Sequence, residues 1–181
     1  MTETNRFVAY IPVSTCKLVL GSFPCRGTDD YGNFFYSGSG RNYFWPVLSA
    51  ISGMPAGSRE EKMAICDRYG IALADVALKV RRKLANCSDS NLEIIEYNAK
   101  AIQNCLQAGA QKVFFTSRFV ETHFYRMFPG VTLPAQLLPS PSPAANRHIG
   151  GLPQYRALVG SKKIRNVLEY RIRSYRDLLF S

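Results

Sequence analysis

Asn42 sits in the stretch Arg41-Asn42-Tyr43-Phe44-Trp45, directly after a loop rich in Gly, Tyr and Ser. A side-chain amide can donate and accept at once, so it can orient a water molecule or read the edge of a heterocycle. The loop before it brings Phe35 and Tyr36, and the segment after it holds the only Trp of the chain. Aromatic faces, small residues and an amide on a basic protein suit a nucleobase swung out of its stack, with Lys and Arg on the phosphates. Ordinary burial accounts for some of the same residues. Phe44 and Trp45 open an amphipathic segment and belong in a core by their usual tendencies. An Asn before a helix is explained by N-capping alone.

Other chemistries fit the spacing less well. Gly38 and Gly40 begin a G-x-G pattern, but Tyr43 occupies the third glycine position and no G-K-[ST] follows, so dinucleotide and P-loop readings fail. There is no G-x-S-x-G elbow, and His123 and His148 have no evident Ser and Asp companions. Asp29 and Asp30 are adjacent and suit a turn better than a pair of opposed catalytic carboxyls. Cys16, Cys25, Cys66, Cys87 and Cys105 are widely and irregularly spaced, with no C-x-x-C. They read as free thiols in a reducing compartment, and neither a metal nor a cofactor is expected.

Lys and Arg outnumber Asp and Glu by 23 to 13 in 181 residues, a net charge of +10. That balance favours a polyanionic partner, nucleic acid before membrane, since no amphipathic anchor or lipidation motif is present. The N-terminal stretch has no basic segment leading into an apolar signal core, and a cytoplasmic protein is expected.

The elements that must position these residues follow from the apolar pattern. Cys16–Gly21 reads as a buried strand stopped by glycine, and a helix begins around Arg41 with Pro46 in its first turn. Ser58 to Gly70 is a helix with a capping box, Ser58 to Glu61, and a glycine stop. Ile71–Leu78 reads as a second strand or an irregular apolar segment. A second capping box, Ser90 to Glu93, predicts a helix through Ala110 with Leu92, Ile95, Ala99, Ile102 and Leu106 on its apolar face. Lys112–Ser117 is a strand, Ser117 starts a helix, and the stretch from Val131 to Ser140 is extended. A long helix closes the chain, burying Ile164, Val167, Leu168, Ile172, Tyr175, Leu178 and Leu179. Alternating strands and helices predict an α/β fold: a single domain over residues 1–181, with a mainly parallel central sheet and helices on both faces. Ligands of such sheets sit beyond the strands' carboxyl ends, here Gly-Ser-Phe-Pro, Thr-Ser-Arg and Leu-Pro-Ser-Pro-Ser-Pro.

Those segments also carry a likeness. The stretch from Leu18 to Leu48 resembles the first motif region of the uracil-DNA glycosylase superfamily, in which a strand ends in Gly-x-x-Pro-Gly and an aromatic loop runs into Asn-x-Phe-Trp. Leu137–Asn146 resembles the superfamily's second motif loop. Gly-Ser-x-Pro, the segment Gly70–Val76 and the form Leu-Pro-Ser-x-Ser-Pro look most like the hypoxanthine (deoxyinosine) glycosylase branch. The resemblance implies hydrolysis of the N-glycosidic bond of a deaminated base, hypoxanthine or uracil, in DNA. It implies Asn42 as the catalytic amide, Gly21, Ser22, Phe23 and Pro24 as the loop against the base, and Tyr36 or Phe35 as the stacking aromatic. Ser140 and Ser142 are implied as further substrate contacts.

The sequence also departs from the pattern. Phe23 occupies the place of the motif Asp or Asn of better-known branches, and Leu138 that of their His. Ser39-Gly40 replaces the branch's His-Pro, Cys25 replaces a glycine, and the cysteine pattern of the iron–sulfur branches is absent. For the DNA backbone, Arg118 at a helix start and Arg147 after the second loop are the candidates; Lys162, Lys163 and Arg165 read as a solvated basic face. Two other readings stay open: an inert nucleic-acid-binding module of the same fold, and an α/β enzyme acting on free nucleosides.

Overall fold

The structure, a computed structural model, describes residues 2–26, 31–84 and 86–181. Asp29 and Asp30, read above as turn formers, lie outside the described residues. The chain begins with β1 (Thr2–Thr4), β2 (Ala9–Tyr10) and β3 (Lys17–Gly21), followed by α1 (Phe44–Ser52) and α2 (Arg59–Tyr69). Next come β4 (Ile71–Asp75), β5 (Ala77–Arg82), β6 (Leu92–Tyr97), α3 (Ala99–Gln107), β7 (Lys112–Phe115), α4 (Arg118–Met127) and β8 (Ala135–Leu137). The helices α5 (Asn146–Gly151), α6 (Pro153–Gly160) and α7 (Val167–Leu179) complete it, with short 3₁₀ turns at Asp89–Asn91 and Pro143–Ala145.

The main sheet has the order β2-β4-β3-β7-β8. The pairings of β3 with β4, β3 with β7 and β7 with β8 are parallel, and only β2 runs antiparallel. Alternation along β3 builds a core on each face. Val19 packs with Leu73 and Phe114 beneath α1, α2 and α7, while Leu18 and Leu20 pack with Ala72, Val113 and Phe115 beneath α3 and α4. Strands covered on both sides read as continuous apolar runs, which is why Leu18, Val19, Leu20 and Ile71–Ala74 are fully buried.

Two local signals act as the sequence reads. Ser58 Oγ accepts from Glu61 N (3.1 Å) while the Glu61 carboxylate accepts from Ser58 N (2.9 Å), closing the capping box of α2. Gly70 ends that helix at φ 63°, and a side chain there would also strike Ser14 O. The region from Ser90 to Ala110 differs from expectation. Residues Leu92–Tyr97 are a strand, and α3 starts only after Asn98. Ile94, Ile95 and Tyr97 favour extended backbone, and β5 offers partners: Lys79 pairs with Glu96, and Arg81 with Glu93. Asn98, buried, then anchors the helix start by donating to Val8 O (2.7 Å) and Asp75 O (3.1 Å). The result is a second, antiparallel sheet, β1-β5-β6, which the alternating pattern did not anticipate. The apolar segment after Gly70 is therefore two strands, β4 and β5, which belong to different sheets. The C-terminal helix is shorter than expected, with Ile164 ahead of it in a satellite cluster with Ile149 and Tyr170. Among the described residues no helix is long and apolar enough to cross a membrane.

Candidate active site

The three central strands β3, β4 and β7 are parallel, so their carboxyl ends share one edge of the sheet. A cleft of about 530 Å³ opens there. Ser22, Phe23 and Pro24 line it after β3, Asp75 at the end of β4, and Thr116 and Ser117 after β7. The loop before α1 contributes Tyr36, Arg41 and Asn42, and the loop after β8 contributes Ser140 to Ala145. The three loops named from sequence therefore meet.

Asn42 is partly buried on the cleft wall. Its Oδ1 accepts from Phe44 N (2.9 Å), an Asx turn leading into α1; the N-cap itself is Tyr43, without a side-chain cap bond, so Asn42 is not the N-cap that its position suggested. That bond uses one lone pair, leaving the second and the Nδ2 donors for the cleft. The turn and a functional role are thus compatible at this residue. Tyr36 has a positive φ of 58° and stacks its ring on Phe44, with centroids 4.2 Å apart. Its hydroxyl is buried beside Thr116 and the Asp75 carboxyl. Burial, with the neighbouring Asp75 carboxyl, pushes its pKa well above the ordinary phenol value. Left-handed backbone at a non-glycine residue that lines a cleft is a feature that clusters at functional sites.

Phe35 does not share the cleft. It is 3% exposed, packs against Phe7 and Phe34, and its carbonyl accepts from Trp45 Nε1 (2.6 Å). Of the two adjacent aromatics, Tyr36 lines the cleft and Phe35 does not. Phe44 and Trp45 are core residues, as ordinary burial predicts. Phe23 forms part of the wall and packs edge-on against Tyr31. Leu138 is buried in the core. Gly21 lies under the floor, where a Cβ would collide with Asp75 Oδ1 and stand 2.9 Å from the Tyr36 hydroxyl. Arg118 lies outside the cleft and is exposed, paired with Glu121 (2.6 Å). Arg147 lines a separate shallow depression with Ala144, His148, Gly151 and Leu152.

Asp75 is the residue that sequence reading missed. It is 4% exposed, paired in register with Gly21, and its Oδ2 accepts from Asn5 Nδ2 (3.0 Å). Burial raises its pKa to about 7; Asp89 adds to the rise and the Asn5 amide opposes it. A carboxyl of this kind is partly neutral at physiological pH, able to donate as well as accept. The available signal was an Asp closing the apolar run Ile71–Ala74, at a strand's carboxyl end. Asp89, also in the cleft, accepts from Ser117 Oγ (2.7 Å). No set of three or more His, Cys, Asp or Glu side chains among the described residues is placed to hold a metal ion.

The cysteines are not all free thiols. Cys25 and Cys87 form a disulfide, with Cα atoms 5.2 Å apart, and both line the cleft; Cys16, Cys66 and Cys105 are free. The pair stands 62 positions apart in sequence, so spacing carries no hint of it. The bridge ties the loop after β3 to the turn between β5 and β6. Replacing both cysteines by Ser is expected to cost about 2–4 kcal/mol of unfolding free energy. The corresponding measurement is the urea midpoint with and without reductant. A wild-type midpoint that ignores reductant would remove the bridge from the account.

The fold has a counterpart among solved structures. A solution NMR structure of a Methanosarcina acetivorans protein provisionally described as a uracil DNA glycosylase superposes with a TM-score of 0.62 at 20% identity, covering 94% of this chain and 98% of that one. No family model matches this chain, and no curated protein matches it. The protein therefore has a uracil-DNA glycosylase-like α/β fold, with its cleft at the carboxyl ends of the parallel strands.

Proposed function

We propose that the protein is a monofunctional DNA glycosylase that hydrolyses the N-glycosidic bond of a deaminated base, hypoxanthine or uracil, flipped out of DNA. The observation that carries this reading is the convergence of Asn42, Tyr36 and the buried Asp75 in one cleft with the Ser140–Ser142 loop on its wall. The net charge of +10 supports a polyanionic substrate. In the reaction the C1′–N bond breaks with its electron pair leaving on the base. Water adds to C1′ and keeps one hydrogen as the new hydroxyl, and its other proton ends on the departing base, leaving an abasic site and the free base.

Each residue has a part consistent with its geometry. The Asn42 amide orients the attacking water through its remaining lone pair. Backbone N–H groups of the Ser22–Cys25 loop face the departing base, where preorganised donors are worth a few kcal/mol each. The neutral form of Asp75 donates to the same base from the cleft floor, beside the Tyr36 hydroxyl. Arg118 and Arg147, both outside the cleft, are the proposed contacts to the flanking DNA backbone, and contacts of this kind weaken with salt. Deaminated bases pair poorly, so the cost of extrusion is lowest where the lesion is.

The test is base release from end-labelled duplexes carrying a single uracil, hypoxanthine or xanthine, with abasic sites revealed by alkali. Breaks at one lesion and none in undamaged duplex are expected. Salt-sensitive binding without breaks at any lesion would overturn the reading in favour of a binding module. Turnover of free nucleosides, indifferent to salt, would overturn it in favour of a nucleoside enzyme.

A further inference from the structure

Arg171, on α7, is fully buried, yet among the described residues no carboxylate pairs with it. Its guanidinium instead serves the cleft. Nε donates to Ser140 O (2.8 Å), Nη2 to Ser142 O (3.0 Å) and Nη1 to Asn146 Oδ1 (2.9 Å). Its flat face lies 4.3 Å from the centre of the Tyr43 ring. Tyr43 joins the other wall: its N–H donates to Pro141 O (2.9 Å), its hydroxyl accepts from Asn146 Nδ2 (3.3 Å), and it is the neighbour of Asn42. From the same helix, the Tyr175 hydroxyl donates to Pro139 O (3.1 Å).

Burying a guanidinium away from an anion is costly, and a well-packed apolar side chain would commonly serve stability as well. What an apolar side chain cannot do is satisfy three acceptors in a fixed fork while stacking on a ring. The acceptors belong to the second loop and its following helix, and the ring to the segment that carries Asn42. We propose that Arg171 is a positioning residue that locks the Asn42 wall and the Ser140–Ser142 wall of the cleft in mutual register. For its catalytic consequence this rests on the glycosylase reading; the geometric claim stands apart from it. The backbone carbonyls of Ser140 and Ser142 both accept from Arg171, so one side chain fixes two positions of the loop. Lysine keeps the charge but has neither the fork nor the plane.

Arg171→Lys is therefore expected to lower the single-turnover rate of base release about 10–100-fold, the scale of a 1 Å misplacement. Its DNA affinity should change by less than the rate does. In amide NMR spectra of the free protein, the Asn42 side-chain, Tyr43 and Ser142 resonances should shift, while those of Leu18 and Val19 in β3 stay in place. The spectra read the proposal even if the wild type releases no base at any lesion, a result that would count against the glycosylase reading alone. Should Arg171→Lys fail to fold, Asn146→Ala removes only the amide bridging Arg171 and Tyr43, and carries the same expectation at smaller size. A folded variant with unmoved Asn42 and Ser142 resonances would overturn the proposal. So would a rate that falls only as far as the folded fraction does.

Discussion

Asn42→Ala protein is expected to release base from a lesion-bearing duplex about 10²–10³-fold more slowly than wild type, the usual cost of removing one well-placed polar group from a reacting centre. Single-turnover alkaline cleavage measures it directly. The complication is structural, because Asn42 Oδ1 also accepts from Phe44 N. Losing that turn bond alone should cost roughly 1 kcal/mol of stability, which leaves the protein folded and cannot slow chemistry by such a factor. Asn42→Asp separates the two roles. Its carboxylate keeps the turn's acceptor, so stability should stay close to wild type, while the amide's donors are gone and an anion faces the cleft. If alanine lowers only the unfolding midpoint and leaves the rate unchanged, Asn42 is a turn former and nothing more. Wild-type rates in both variants would remove Asn42 from the mechanism.

The second large effect concerns Asp75 and pH. Its folded pKa is near 7 because burial disfavours the charge, and in the unfolded chain it should fall near the ordinary aspartate value of about 3.9. Below pH 4 the carboxyl is neutral in both states, and its favourable contribution is complete. Between pH 4 and 7 the unfolded chain releases the proton first, so the folded state binds more protons and stability declines with rising pH. Above about 7 both states are ionised and the contribution is gone. The loss across that window is roughly 2–4 kcal/mol.

Asp75→Asn, which keeps the size and a donor but cannot ionise, should abolish this decline and raise the urea midpoint at pH 8 relative to wild type. The groups facing Asp75 are Asn5, which holds Oδ2, together with Tyr36 and Asp89. The Asn5 amide does not ionise, and burial holds the Tyr36 phenol well above its ordinary range. The rate should follow the same proton. Wild-type base release should fall as pH rises through 7, and Asp75→Asn should be flat there. Parallel midpoint curves for the two proteins from pH 5 to 8.5 would show that Asp75 is already ionised and would take the donor role from it.

The two residues differ in how visible they were. Asn42 announces itself by its neighbours, in a short segment where an amide follows a loop and precedes an aromatic helix start. Asp75 looks like the polar end of an apolar strand, and its meaning comes from Gly21 beside it and Tyr36 above it, 54 and 39 residues away in the chain. Phe35 and Tyr36 are adjacent and chemically alike, so pattern alone left both in play. The backbone at Tyr36, with its positive φ, turns one ring into the core and the other residue toward the cleft.

Local chemistry, then, was determined by the sequence itself. The capping box of α2, the glycine stop at Gly70, the buried strand before Gly21 and the convergence of three strand-end loops all depend on residues close together in the chain, or on alternation that any parallel sheet imposes. Tertiary structure decided what depends on distant partners. Leu92–Tyr97 became a strand because β5 stood ready to pair with it, overriding a helical spacing that extended into α3. Cys25 met Cys87, Asp75 met Tyr36, and Arg171 found three acceptors 25 to 31 residues upstream and, much earlier in the chain, the Tyr43 ring. Hydrogen bonds, buried charge and cross-strand pairs act over a few ångströms of space, whichever stretches of chain the fold brings there.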